Sequence, residues 1–171
     1  MDKIAKYFKK NIMSIAFIAI YLAAIVSANL IITFLGPKAT IITAFALIGL
    51  DLTARDRLHE LWNRKGLWLK MAMLIVAGSV ISFLINSNSL IIAIASCIAF
   101  FGAGLVDFIV YSILYKRAWL VKVNGSNLFS SLTDSMIFPT LAFSSFMPLI
   151  IAGQFAAKAL GGFAWSLVLR K

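Results

Sequence analysis

Cysteine and histidine each occur once in this chain, and acidic residues number six against sixteen lysines and arginines. Each shortage excludes a class of chemistry. Cys97 lies in the apolar run IAIASCIAFFGAG, so no internal disulfide or cysteine-rich metal site can form. His59-Glu60 has no second histidine to complete an HExxH helix, and no metal site or other cofactor is expected. There is no GxxxxGK[ST] loop, which excludes ATP hydrolysis by that route. No nucleophile–base pair can be assembled either, so the sequence does not read as an enzyme.

What the chain has is hydrocarbon. It is 62% hydrophobic with a mean hydropathy of +0.98, whereas soluble domains run at roughly 45–50% apolar. The fold class expected is an all-α integral membrane protein, forming one domain over residues 1–171 in contact with the lipid bilayer. A helix crosses the hydrocarbon in about 20 residues, and six such runs are found, at approximately 12–35, 39–54, 67–85, 90–115, 128–145 and 148–169. Gly36-Pro37 ends the first, and Pro148 opens the last. RDRLHELWNRKG (residues 55–66) and KRAWLVKVNGSN (residues 116–127) read as loops.

The net charge of +10 resembles that of a nucleic-acid binder, but its distribution points elsewhere. Lys3, Lys6, Lys9 and Lys10 precede the first span; Arg55, Arg57, Arg64, Lys65 and Lys70 follow the second. Lys116, Arg117 and Lys122 follow the fourth, and Arg170 and Lys171 end the chain. Fourteen of sixteen basic residues thus fall on one face, with Lys38 opposite and Lys158 inside a span. The positive-inside rule then predicts both termini in the cytoplasm, a multi-pass protein of the inner membrane, and no nucleic-acid partner. Met1 to Lys10 reads as a cytoplasmic basic leader rather than a cleavable signal. Three spans per half would make any internal repeat inverted, and Asp51 and Asp134 lie on the middle helix of their halves.

Charge inside these spans is expensive and marks function. Asp134 lies about 10 Å in from the cytoplasmic side and Lys158 about 15 Å in from the outside, at 1.5 Å per residue. Asp51 and Asp107 lie in the cytoplasmic halves of the second and fourth spans. Asp51 and Arg55 have the i,i+4 spacing of an ion pair, which could be a salt bridge at a helix end. Asp107 has a structural reading, as a hydrogen-bonding residue near the interface. Asp134 and Lys158 read either as a structural lock or as substrate contacts. Asn29 and Gln154 are uncharged polar groups of the kind that tie helices together, and Gly102, Gly104, Gly161 and Gly162 suit close helix packing. Pro139 can kink the fifth span.

Several segments together resemble the queuosine-precursor transporter family, also described as a vitamin uptake family. They are IVSAN (residues 25–29), FALIGLDLTAR (residues 45–55), and the block from Ile94 to Phe143. In that block an aspartate closes the fourth helix, a Ser/Asn turn follows, and Thr-Asp-x-x-x-Phe opens the fifth. Gln154 through Leu160, with Lys158, also fits. The resemblance spans nearly the whole chain; departures are the HELWNRKG segment, a missing arginine before NGS, and short outer loops.

The resemblance implies uptake of 7-cyano-7-deazaguanine or a related purine-like molecule. A carboxylate can accept both the N1–H and the exocyclic amine of such a ring. Asp134 is the first choice for that role and Asp51 the second, with Asn29, Ser126, Asn127 or Gln154 serving the acceptors and Lys158 donating or holding a carboxylate ionised. Two other classes stay open. One is the substrate-binding subunit of a vitamin importer with a separate ATPase module, for which Ala19-x-x-x-Ala23 would be a docking stripe. The other is a small non-transporting membrane protein. Homo-oligomerisation is undetermined.

Overall fold

The computed structural model describes residues 2–62, 66–114, 116–117 and 119–168. The expected span ends at Tyr115 and Leu169 lie outside the described residues, as do Arg64, Lys65, Arg170 and Lys171. All the regular structure described is helical. Helix α1 covers Asp2–Leu35, α2 Ala39–Thr43 and α3 Gly49–Trp62, the last two joined by a π turn at Ala44–Ile48 into one rod. Then come α4 (Leu67–Ile85), a 3-10 turn at Ser87–Ser89, α5 (Leu90–Ile113), α6 (Trp119–Ala142) and α7 (Pro148–Val168). Among the described residues, three helical stretches are long and apolar enough to cross a membrane: Lys10–Leu35, Leu67–Ile85 and Ser87–Ile113.

Local chemistry sets the breaks. Gly36 takes a left-handed conformation (φ 73°) and its N–H closes on the Ile32 carbonyl at 2.8 Å, the usual glycine stop of a helix. The Asn86 side chain accepts from the Asn88 N–H at 3.0 Å, which opens the short turn before α5. Pro148 occupies the first position of α7, where its missing N–H costs nothing.

Two expectations need correction. The segment from Arg55 is helical to Trp62, and α6 starts nine residues before Leu128. Charge and the Asn-Gly-Ser triplet read as loop because both favour solvent, yet tertiary contacts hold each as helix. Trp62 Nε1 donates to Ser14 Oγ on α1 at 2.7 Å, and Lys70 Nζ stands 5.1 Å over the Trp62 ring. Asn127 accepts from Arg55 across the bundle. α6 also ends at Ala142, short of the expected Ser145.

The rods close into a ring. α1 packs on α4, α4 on α5, α5 on α6, α6 on α7, and α7 on the α2–π–α3 rod, which returns to α1. In the first half α1 lies between its two neighbours; in the second half α6 does. That difference in neighbour order gives the possible inverted halves no counterpart in the packing of the described residues.

Large apolar side chains such as Phe34, Leu35, Ile42, Leu84 and Leu149 lie exposed on the outside, while the interior is rich in alanine and hydroxyl residues. This suits lipid, where small residues let helices approach closely. Glycine makes the tightest approach. A Cβ on Gly161 would overlap the Phe45 carbonyl oxygen in the π turn, and one on Gly49 would come within 2.6 Å of the Gly161 carbonyl carbon. The seam is fastened by Trp165 Nε1 on the Ala46 carbonyl at 2.8 Å. Gly102, where a Cβ would meet only the tip of Ile137, and Gly104, where it would meet nothing nearer than 4.0 Å, are not needed in the same way.

Gly161→Ala should therefore cost about 1–3 kcal/mol by overpacking, seen as a lower thermal unfolding temperature in detergent. Gly104→Ala should leave that temperature unchanged or raise it slightly, because alanine is the better helix former.

Candidate functional site

Inside the ring is a small cavity of about 20 Å³, room for roughly one water. Its wall is built from helical pairs four residues apart. α6 contributes Asp134 and Phe138, α7 Gln154 and Lys158, and α5 Ser96 and Phe100. α1 adds Ala28, Asn29 and Ile32, and the second rod adds Thr40 and Ile48. An i,i+4 pair places two side chains on one helix face, so α5, α6 and α7 each turn a single stripe inward, while α4 does not reach the cavity.

Lys158 organises this wall. It is 2% exposed, and its ammonium has three donors to place. Nζ lies 2.5 Å from Asp134 Oδ2, 3.0 Å from Ser135 Oγ and 3.1 Å from Gln154 Oε1. Two of these partners come from α6 and one from its own helix, so the charge joins α6 to α7. Pro139 is buried within α6 and has no N–H to give the carbonyl of Ser135, four residues earlier. The helix continues through it, with the Phe143 N–H on the Pro139 carbonyl at 3.1 Å.

Asn29 is oriented from behind. Its Nδ2 donates to Ser82 Oγ on α4 at 3.1 Å, and that hydroxyl donates to the Gly78 carbonyl at 2.8 Å. Asn29 thus both ties two helices and faces the cavity. Gln154 is incompletely satisfied, since Nε2 is buried and lacks a hydrogen-bond partner. A buried amide donor left unpaired costs about 1–3 kcal/mol, so the cavity has a free donor beside the ion pair.

Four of the expected site residues therefore meet at the cavity: Asn29, Asp134, Gln154 and Lys158. Asp51, Ser126 and Asn127 do not line it. Ser126 is buried within α6, and Asn127 Oδ1 accepts from Arg55 at 3.2 Å. The expected Asp51–Arg55 pair is not formed. Arg55 turns instead to Asn127 and to Asp56, with Nε 3.9 Å from Oδ1, while Asp51 Oδ1 is buried without a hydrogen-bond partner. Asp107 Oδ1 is likewise buried and unpartnered, so the hydrogen bond to a neighbouring helix expected of it is not made at that atom.

Sequence reasoning missed Thr40, Ser96, Phe100, Phe138 and the Lys158 partner Ser135. Phe138 lies four residues after Asp134, so stepping one turn from each buried charge would have found it. Ser96 and Phe100 have no nearby charge to start from. Ala19 and Ala23, the candidate docking stripe, both lie exposed on the outer face of α1.

The ion pair yields a stability test. Lys158→Met leaves a buried carboxylate without its partner, and breaking such a pair costs roughly 3–5 kcal/mol. Most of that loss should return in the double variant Asp134→Asn/Lys158→Met, measured as a double-mutant cycle on unfolding in detergent micelles.

Neither a curated protein nor a solved structure matches the chain. A family profile does, over residues 84–169, which takes in α5, α6 and α7 with Ser96, Asp134, Ser135, Gln154 and Lys158. On that match the chain belongs to the family described as Putative vitamin uptake transporter.

Proposed function

We propose that this chain is a six-span inner-membrane transporter, both termini in the cytoplasm, that imports a queuosine precursor such as 7-cyano-7-deazaguanine. The observation carrying this reading is the cavity wall, where one buried aspartate, one ammonium, two side-chain amides and two phenylalanines face each other within the ring. That set matches a guanine-like heterocycle group by group. The Asp134 carboxylate accepts the N1–H and the exocyclic amine, a charge-assisted bidentate contact. Phe100 and Phe138 provide apolar faces for the ring. Asn29 and the free Gln154 donor serve the carbonyl and nitrile acceptors. Lys158 holds Asp134 ionised until the substrate arrives.

At about 20 Å³ the cavity is far below the roughly 300–1,000 Å³ of a ligand pocket, too small for a purine-like ring as it stands. Loading requires the wall to separate. The Lys158 contacts between α6 and α7 are the bonds a substrate would exchange for its own. The distribution of basic residues along the sequence and the exposed apolar side chains support the six-span arrangement.

Reconstituted alone in lipid vesicles, the chain should take up labelled 7-cyano-7-deazaguanine, and Asp134→Asn should abolish uptake, as should the better-folded double variant Asp134→Asn/Lys158→Met, in which no buried charge is left unpaired. Unchanged uptake by Asp134→Asn would remove that residue from the site. The exposed Ala19–Ala23 stripe favours one second reading, a binding subunit that needs an ATPase module; substrate binding without uptake until such a module is added would establish it.

A further inference from the structure

We propose that Asp51 is a proton-binding site, distinct from the substrate cavity, and that its loading and unloading couple inward proton movement to transport. The proposal rests on the transporter reading above and names its energy source. Asp51 lies three residues beyond Ile48, the cavity-lining residue of the π turn, and one helical turn before Arg55. It is 1% exposed, and its Oδ1 has no hydrogen-bond partner. An ionised carboxylate in that position lacks both water and a direct ion-pair contact, which the membrane interior penalises heavily.

Among the described residues the one cation placed to relieve it, Arg55, is shared with other carboxylates. Tyr21 of α1 and Asp134 of α6 face it with a phenol and a second carboxylate, and Asp56 adds a third from its own helix. Arg55 is the nearest positive charge, but its guanidinium is directed to Asn127 and Asp56 and is shared electrostatically with Asp107 of α5. The only charge on the described part of α7, Lys158, is committed to Asp134, Ser135 and Gln154. Three carboxylates (Asp51, Asp56 and Asp107) thus surround one guanidinium. Fully ionised, the group would carry two excess negative charges.

A proton fits Asp51 where a metal ion does not. Hard cations take six or more oxygen ligands, and no set of three or more metal-binding side chains occurs among the described residues. A proton needs only one oxygen lone pair. With the site open to the outside, hydronium gives its proton to Asp51, leaving water and the neutral acid. With the site open to the cytoplasm, the acid returns the proton to water. The neighbouring π turn, Ala44–Ile48, is the place in this rod where helix geometry already departs from regular, as π turns at functional sites do.

The test uses full-length protein in vesicles with labelled 7-cyano-7-deazaguanine. Wild type should accumulate it when the outside is acid and lose accumulation when a protonophore is added. Asp51→Asn should lose gradient-driven accumulation completely while exchange of internal for external substrate continues. Accumulation by Asp51→Asn that still follows the pH gradient would overturn the proposal, as would a wild type driven by sodium or indifferent to pH. A wild type with neither uptake nor exchange would defeat the transporter reading itself. Asp51 is then judged by infrared spectroscopy of the purified protein in lipid at neutral pH. A buried carboxylic-acid C=O band should be present in wild type and absent in Asp51→Asn; its absence from wild type overturns the proton site.

Discussion

An ammonium buried among six apolar rods is the constraint on which the interior depends. Lys158 cannot keep its charge in hydrocarbon without three acceptors, and the chain supplies Asp134, Ser135 and Gln154 within 3.1 Å. Supplying them dictates the packing of α6 against α7 and the rotation of both helices about their axes. That rotation in turn aims Phe138 and the amide of Gln154 at the centre. The cavity is therefore a by-product of satisfying one charge, and its polar wall comes from the same residues.

The second buried group follows the opposite logic. Around Arg55 three carboxylates compete for one guanidinium, and Arg55 Nε and oxygen atoms of Asp51 and Asp107 are left without hydrogen bonds. The Lys158 ammonium has all its donors placed, whereas the Arg55 group leaves polar atoms of both signs unpaired. A satisfied polar network rigidifies its surroundings, whereas an unsatisfied one is ready to accept something.

Much of this was legible from residues alone, for identifiable reasons. Leu67–Ile85 was bounded correctly at both ends because Gly66 and Asn86 interrupt a run whose one charge is Lys70. Pairing of Asp134 with Lys158 was one of two readings that depth offered, beside substrate contact, since an unpaired charge far from either surface is hard to tolerate. Depth alone could not say which way Arg55 turns. Its i,i+4 neighbour is visible in the sequence, but Asn127 lies 72 residues away and becomes a competitor only once the ring has closed. Ser96 and Phe100 were hidden because cavity-lining and helix-packing residues share the same 3.6-residue period. The extents of α3 and α6 were misread because charge was taken as a helix end, although their polar residues pair with each other across the bundle.

The π turn also acts as an angular setting for everything after it. A π turn holds one residue more than the α-helix it interrupts, and each helical residue advances the chain by about 100° about the axis. In a regular α-helix Thr40 and Asp51, eleven residues apart, would lie within about 20° of each other around the axis. The extra residue in Ala44–Ile48 moves them roughly a quarter-turn out of phase, so the rod gives Thr40 to the cavity and turns Asp51 away from it. That offset is held where Phe45 meets Gly161.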